Sequence, residues 1–104
     1  MEIREALIEA LDVTAQTGAA DLKTLNNVLS PCWVTTLFLK ADPANGATPV
    51  KVGGKGISTY PLIAGEAVAI DIPEGFAIDL AKIGVDGNGA GGQIVHFLYV
   101  RLAG

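Results

Sequence analysis

The sequence predicts a mainly β protein: a small antiparallel β-sandwich or barrel of five to seven strands, preceded by an N-terminal helix or extended arm. Three observations carry this expectation. From residue 33 onward, short runs of β-branched, aromatic and aliphatic residues alternate with clusters of Gly, Pro, Asn and Asp, the pattern of an all-β chain. Residues 1 to 31 lack that rhythm. A chain of 104 residues has room for one core only, so residues 1 to 31 are read as an arm making assembly contacts and residues 32 to 104 as the sandwich.

Taken in order, residues 2 to 11 place Ile3, Leu7 and Leu11 four apart, with Ala6 and Ala10 beside them and Glu2, Glu5 and Glu9 elsewhere. Such a stripe predicts a helix. A helix this short is marginal in isolation and needs something to lie against. Ile3, Leu7 and Leu11 are therefore candidate partner-binding residues, together with Trp33. Residues 12 to 31 carry Thr14, Thr17, Gly18, Asn26, Asn27, Ser30 and Pro31 without a sustained period. They read as an extended connector, with a short strand over 12–16 and a helical turn over 20–25 as its local features.

Residues 33 to 40 set Trp33, Thr35, Leu37 and Leu39 against Val34, Thr36, Phe38 and Lys40, apolar on both faces as in a central strand. Asp42-Pro43-Ala44-Asn45-Gly46 is turn chemistry, since Pro presets φ and Asn-Gly tolerates positive φ. It leads into a short strand over 49–52. Gly53-Gly54-Lys55-Gly56 turns the chain again before a run over 57–62. Residues 67 to 72 alternate, with Val68, Ile70 and Ile72 opposite Ala67, Ala69 and Asp71, until Pro73-Glu74-Gly75 ends the strand. A connector carrying Phe76, Ile78 and Leu80 precedes a strand over 82–85. The last run, 93–102, places Ile94, His96, Leu98, Val100 and Leu102 opposite Val95, Phe97, Tyr99 and Arg101, a second central strand.

Hydrophobic residues make up 50% of the chain and charged residues 17%, against a usual charged share of about 25%. That implies apolar surface turned towards a partner, because interface centres are depleted in charge. The net charge of −4 with no run of Lys or Arg argues against a nucleic-acid partner, which needs clustered basic side chains. No apolar stretch approaches the roughly 20 residues that span a bilayer, so no membrane partner is expected. The acidic start lacks the basic region of a signal peptide, which implies synthesis in a cytoplasm. Cys32, the single cysteine, excludes an internal disulfide and a cysteine-based metal site. It is read as a small apolar residue beside Trp33.

Gly87-Asn88-Gly89-Ala90-Gly91-Gly92 has the spacing of a dinucleotide loop, but that fingerprint needs a following helix to hold the pyrophosphate, and a strand follows here; a flexible hairpin loop is expected. Asp86-Gly87-Asn88-Gly89 opens like a calcium loop, yet Phe97 stands where a bidentate Glu is needed. His96, the only histidine, has Ile94 and Leu98 as same-face neighbours, neither able to orient it for acid–base work. Glu66, Asp71, Glu74 and Asp79 read as solvated turn and edge charges rather than a hydrolytic pair. No enzyme activity, cofactor or metal is expected.

One stretch resembles a known pattern. Leu37-Phe38-Leu39-Lys40-Ala41-Asp42, then Asn45, then Val50-Lys51-Val52-Gly53, then Leu62-Ile63-Ala64-Gly65-Glu66 before Val68, Ile70 and Ile72 is similar to small proteins encoded among bacteriophage structural genes. That pattern often has Pro where this chain has Ala64. With the strand near 82–85, the glycine loop and the closing strand, the likeness covers roughly residues 34 to 102. It implies a β-sandwich that decorates or cements a capsid, or sits in a tail or fibre.

The expectation is thus a phage virion structural protein, foremost a capsid decoration or cement protein, synthesised in the host cytoplasm and located in the virion. Its partners would be the major capsid protein or other virion proteins, with further copies of itself in a homo-oligomer. A tail, neck or fibre component is the alternative. A carbohydrate-binding module stacking sugars on Trp33, Tyr60 or Tyr99 is another.

Overall fold

A computed structural model describes residues 6 to 54 and 59 to 102. The chain forms two antiparallel sheets around one core. Strands β1 (Ala6–Thr14), β9 (Ile94–Leu102), β3 (Trp33–Ala41) and β6 (Ala67–Asp71) lie side by side in that order, and the two-residue β7 (Ile78–Asp79) also pairs with β3. The smaller sheet runs β2 (Ala19–Asp21), β8 (Ile83–Asp86), β4 (Val50–Gly54), β5 (Tyr60–Leu62). A short helix α1 (Leu22–Asn26) and a 3-10 turn (Leu80–Lys82) complete the set. The fold is the expected mainly β sandwich, with nine strands among the described residues where five to seven were anticipated, because β1 was read as a helix and β2 and β7 are too short to register as separate runs.

The core is built from the inner faces of both sheets. Val13, Leu37, Leu39, Val95, Phe97 and Tyr99 of the larger sheet pack with Val50, Val52, Leu62, Ile83 and Val85 of the smaller. The two strands expected to be central are central: β9 lies between β1 and β3, and β3 between β9 and β6. Thr35 is an extra residue between the pairs Val34–Arg101 and Thr36–Val100. This bulge lets both Val34 and Leu37 point inward.

The helix expected over 2–11 is corrected. Its described part, from Ala6, is strand β1, which pairs with β9 over nine consecutive residue pairs from Ala6–Leu102 to Thr14–Ile94. A spacing of four satisfies a strand as well as a helix, and Leu7 and Leu11 share the inner face of β1. Residues 2 to 5, with Ile3, lie outside the described residues. The connector that follows is likewise built into the sandwich. β2 pairs with β8, and α1 is capped by Asp21, whose carboxylate accepts the Thr24 amide at 2.9 Å, while Asn27 closes it at φ 55°. Leu22 is fully buried.

The glycine loop is not a free hairpin tip. The Gly87 and Gly89 amides donate to the carbonyls of Gln16 and Thr17 at 2.9 Å each, and the Gly92 amide to Ala15 at 3.0 Å. A Cβ on Gly87 would collide with the Gln16 and Ala90 carbonyl oxygens. Gly87 is thus required by the backbone that lies against it, and Gly89 and Gly92 by their left-handed φ of 86° and 87°.

Two motif residues act on backbone. The Asn45 side chain donates to the Ile94 carbonyl and accepts from its amide, both at 2.9 Å, so one amide group continues the ladder past Asp42. Glu66 accepts the Ile63 amide at 2.7 Å across a turn whose Gly65 sits at φ 84°. The left-handed residue explains the Gly of Leu-x-x-Gly-Glu.

Candidate functional site

The larger sheet exposes an apolar outer face. Alternation along each strand sends one set of side chains inward and the other to solvent. In most one-sided sheets the solvent set is polar. Here the register aligns Ala10, Leu98, Phe38 and Ala69 in one row across all four strands. The next row holds Ile8, Val100, Thr36 and Asp71. Ile8 is 75% exposed, Leu98 47% and Phe38 40%. Contiguous apolar surface of this kind marks an interaction site.

A charged row closes one end of that face. Asp12, His96 and Lys40 lie opposite one another on β1, β9 and β3. His96 Nδ1 stands 2.7 Å from Asp12 Oδ1, and Nε2 stands 2.7 Å from Asp42 Oδ2. The sequence reading missed both partners because they come from other strands. Two carboxylates, Asp12 first and then Asp42, raise the His96 pKa despite partial burial. The Ala44 amide and then His96 hold the Asp42 carboxyl below the ordinary range. With both ring nitrogens beside carboxylates, His96 ties β1, β9 and the end of β3 together, and its protonated form can donate to both.

A second cluster lies at the opposite end, where the larger sheet outruns the smaller. Glu9 and Arg101 face inward beyond the core and pair through two hydrogen bonds of 2.9 and 3.1 Å. That contact lowers the Glu9 pKa and raises that of Arg101. The pair forms one side of a recess of about 430 Å³ shared with Leu29, Cys32, Trp33 and Leu102. Trp33 is 49% exposed there, and burial pushes the neighbouring Cys32 thiol up. Of the described residues read as partner-binding, Trp33 presents substantial surface, whereas Leu7 and Leu11 face inward with partial burial, and Leu11 packs on the core; Ile3 lies outside the described residues.

Asp79, read as a solvated charge, is buried. It accepts the Ser30 hydroxyl at 2.6 Å and the amides of Cys32 and Ala81 at 2.9 and 3.1 Å. Burial works against its charge, but these three donors outweigh it and keep the carboxyl below the ordinary range. Its place is structural: it fastens the 30–32 corner, which contains a cis Ser30–Pro31 bond, to β7 and the following turn.

On its open side the sandwich leaves a groove of about 380 Å³ between the sheets, lined by apolar side chains including Leu39, Val52, Tyr60, Val68, Ile70 and Ile83. β6 overhangs the smaller sheet, so Val68 and Ile70 point inward yet stay partly exposed.

Neither a protein-family model nor a curated protein matches the chain in sequence. In structure it is similar to a chain from work described as "Bacillus endospore appendages form a novel family of disulfide-linked pili". The TM-score is 0.58 at 17% identity, covering 98% of this chain and 91% of that one. The likeness supports the β-sandwich over nearly the whole length, including the N-terminal strands.

Proposed function

We propose that this protein is a non-catalytic structural subunit that docks on other proteins of an assembled particle through the outer face of its larger sheet. The observation that carries the reading is the row Ala10–Leu98–Phe38–Ala69, an apolar band crossing the whole sheet where a free monomer would carry polar side chains. The resemblance over residues 34 to 102 to small phage structural proteins supports a phage virion as the setting of such a subunit, foremost as a capsid decoration or cement protein bound to the major capsid protein. Copies would be made in the host cytoplasm and end in the virion. The fold shared with a pilus subunit favours a second reading, a tail, neck or fibre component.

Co-sedimentation tests the proposal. Tagged wild-type protein should travel with particles from the producing culture at a fixed copy number, and electron microscopy of the tag separates capsid from tail. Phe38→Lys and Leu98→Lys proteins should stay in the supernatant while keeping stability within about 1 kcal/mol of wild type, as expected of half-exposed positions. Wild type absent from particles, or either variant still attached, would overturn it. Removing residues 1 to 31 would not test attachment, since it would delete β1 and β2 from the sheets.

A further inference from the structure

The two sheets treat their edges differently. An unpaired strand edge is a template for another chain, and proteins blunt such edges by shortness, Pro, charge or a bulge. The smaller sheet does so: β2 has three residues, and β5 has three with Pro61 in the middle. The larger sheet is less protected. β1 is nine residues long without Pro or Lys, its charges Glu9 and Asp12 are engaged by Arg101 and His96 of β9, and β6 is Ala67-Val68-Ala69-Ile70-Asp71.

Hydrogen-bond phase shows which backbone groups are free. The Ala15 amide donates to the Gln93 carbonyl, so with the β1–β9 register the odd residues of β1 bond to β9. Ala6, Ile8 and Ala10 direct their N–H and C=O groups to the open side, where no described strand pairs with them. Further along, the Asn26 side chain covers the Asp12 carbonyl at 3.0 Å. On the far edge, Ala41 bonds to Glu66 and Ile72 to Thr35, so the even residues of β6 bond to β3 and Ala67, Ala69 and Asp71 face outward. Both edges also carry their small or apolar side chains on the outer face.

We infer that the free edge of β1 in one copy pairs antiparallel with the free edge of β6 in the next, joining copies side by side into one continued sheet. Direction allows it. Every pairing in the order β1, β9, β3, β6 is antiparallel, so β1 and β6 run oppositely, and an equally oriented neighbour presents its β1 antiparallel to β6. The contact is head-to-tail and leaves a free edge at each end, so it propagates. It also joins the apolar row of one copy to that of the next. Without a register shift Ala69 meets Ala10 of the neighbour, and a two-residue slip brings Ala67 there. The free part of β1 spans only about 14–17 Å, so the association is weak and concentration-dependent. This inference rests on the assembly reading but concerns contacts between copies, and its test needs only the purified chain.

Light scattering should show the wild-type mass rising with concentration beyond a dimer. Ala10→Pro removes a free-edge N–H without touching the β1–β9 ladder, and Ala69→Pro does the same on β6. Each should leave the circular dichroism unchanged and hold the mass at that of a monomer. Within one copy, Ala10 and Ala69 are three strand spacings apart, about 14 Å, too far for a disulfide. In a Cys32→Ser background, Ala10→Cys/Ala69→Cys or Ala10→Cys/Ala67→Cys should therefore give an oxidised ladder of dimers, trimers and larger species. Ala10→Cys alone should give none. A wild type that stays monomeric at every concentration, folded proline variants that still associate, or dimers from Ala10→Cys alone would each overturn the inference. The last outcome would show β1 pairing with β1 about a two-fold axis instead. Loss of particle binding with the ladder intact would instead remove the proposed docking face.

Discussion

Replacing Asp79 should cost more than any other polar substitution in the described chain. Its carboxylate is 7% exposed and receives three donors: the Ser30 hydroxyl and the amides of Cys32 and Ala81. Asp79→Ala strands two backbone amides where water reaches them poorly, each worth about 1–3 kcal/mol. The hydroxyl at the rim can turn to solvent. Set against the relief of no longer burying a charge, a net loss of about 3 kcal/mol follows, a large share of the roughly 5–15 kcal/mol that stabilises a domain. Asp79→Asn keeps one carbonyl oxygen for both amides and exchanges only the Ser30 contact, so about 1 kcal/mol is expected. Urea unfolding followed by the fluorescence of Trp33, which pairs with Asp79 across β3 and β7, measures both. The folded Asp79 carboxyl titrates below the ordinary aspartate range, so this stabilisation is complete above the unfolded value and is lost as pH falls through the depressed folded one. Asp79→Asn should flatten that limb. An Ala variant within 1 kcal/mol of wild type, or an Asn variant as weak as the Ala variant, would refute the account.

Two further outcomes follow. Gly87→Ala should destabilise by about 1–3 kcal/mol through overpacking, because its methyl would meet the Gln16 and Ala90 carbonyls; Gly46→Ala, with open space around it, should be near neutral in the same thermal melt. The His96 contribution is fully present below its unfolded pKa near 6.5 and is lost as pH rises through the raised folded value. Wild type should lose stability across that window relative to His96→Gln, and equal slopes for the two proteins would exclude the Asp12–His96–Asp42 clamp.

Much of the fold was legible from residue 33 onward, for physical reasons that particular residues make plain. Residues 33–40 and 93–102 are apolar on both faces, and each lies between two strands. The turn residues carried local information: Gly65 is left-handed, and Asn45 and Glu66 satisfy nearby backbone. Information from distant strands was not legible. The two carboxylates beside His96 lie 84 and 54 positions away. Asp79 could not be told from the solvated Glu74, because its donors at Ser30 and Cys32 come from a corner 49 and 47 residues earlier. The glycine loop announced its conformational freedom but not the 15–17 backbone packed on it.

The N-terminal misreading bears most on function. Ile3, Leu7 and Leu11 at intervals of four fit either period, and as a strand the same segment sets the charge of Glu9 between two inward leucines, which contradicts a half-buried strand. The contradiction is resolved by Arg101, its bidentate partner on β9, in a part of the larger sheet that the smaller one does not cover. With that settled, the apparent need of residues 1–31 for an external partner largely disappears, because β9 of the same chain meets it. The apolar excess of the composition still needs a place. It is found on the other side of the same strand: Ile8 and Ala10 point away from the core and join Leu98, Phe38 and Ala69 in the outer face. A helical arm would have contacted neighbours by reaching out. A strand at the rim of an apolar sheet presents instead a flat surface and an open edge, so the docking surface moves from a flexible tail to a rigid face whose rows are fixed by register.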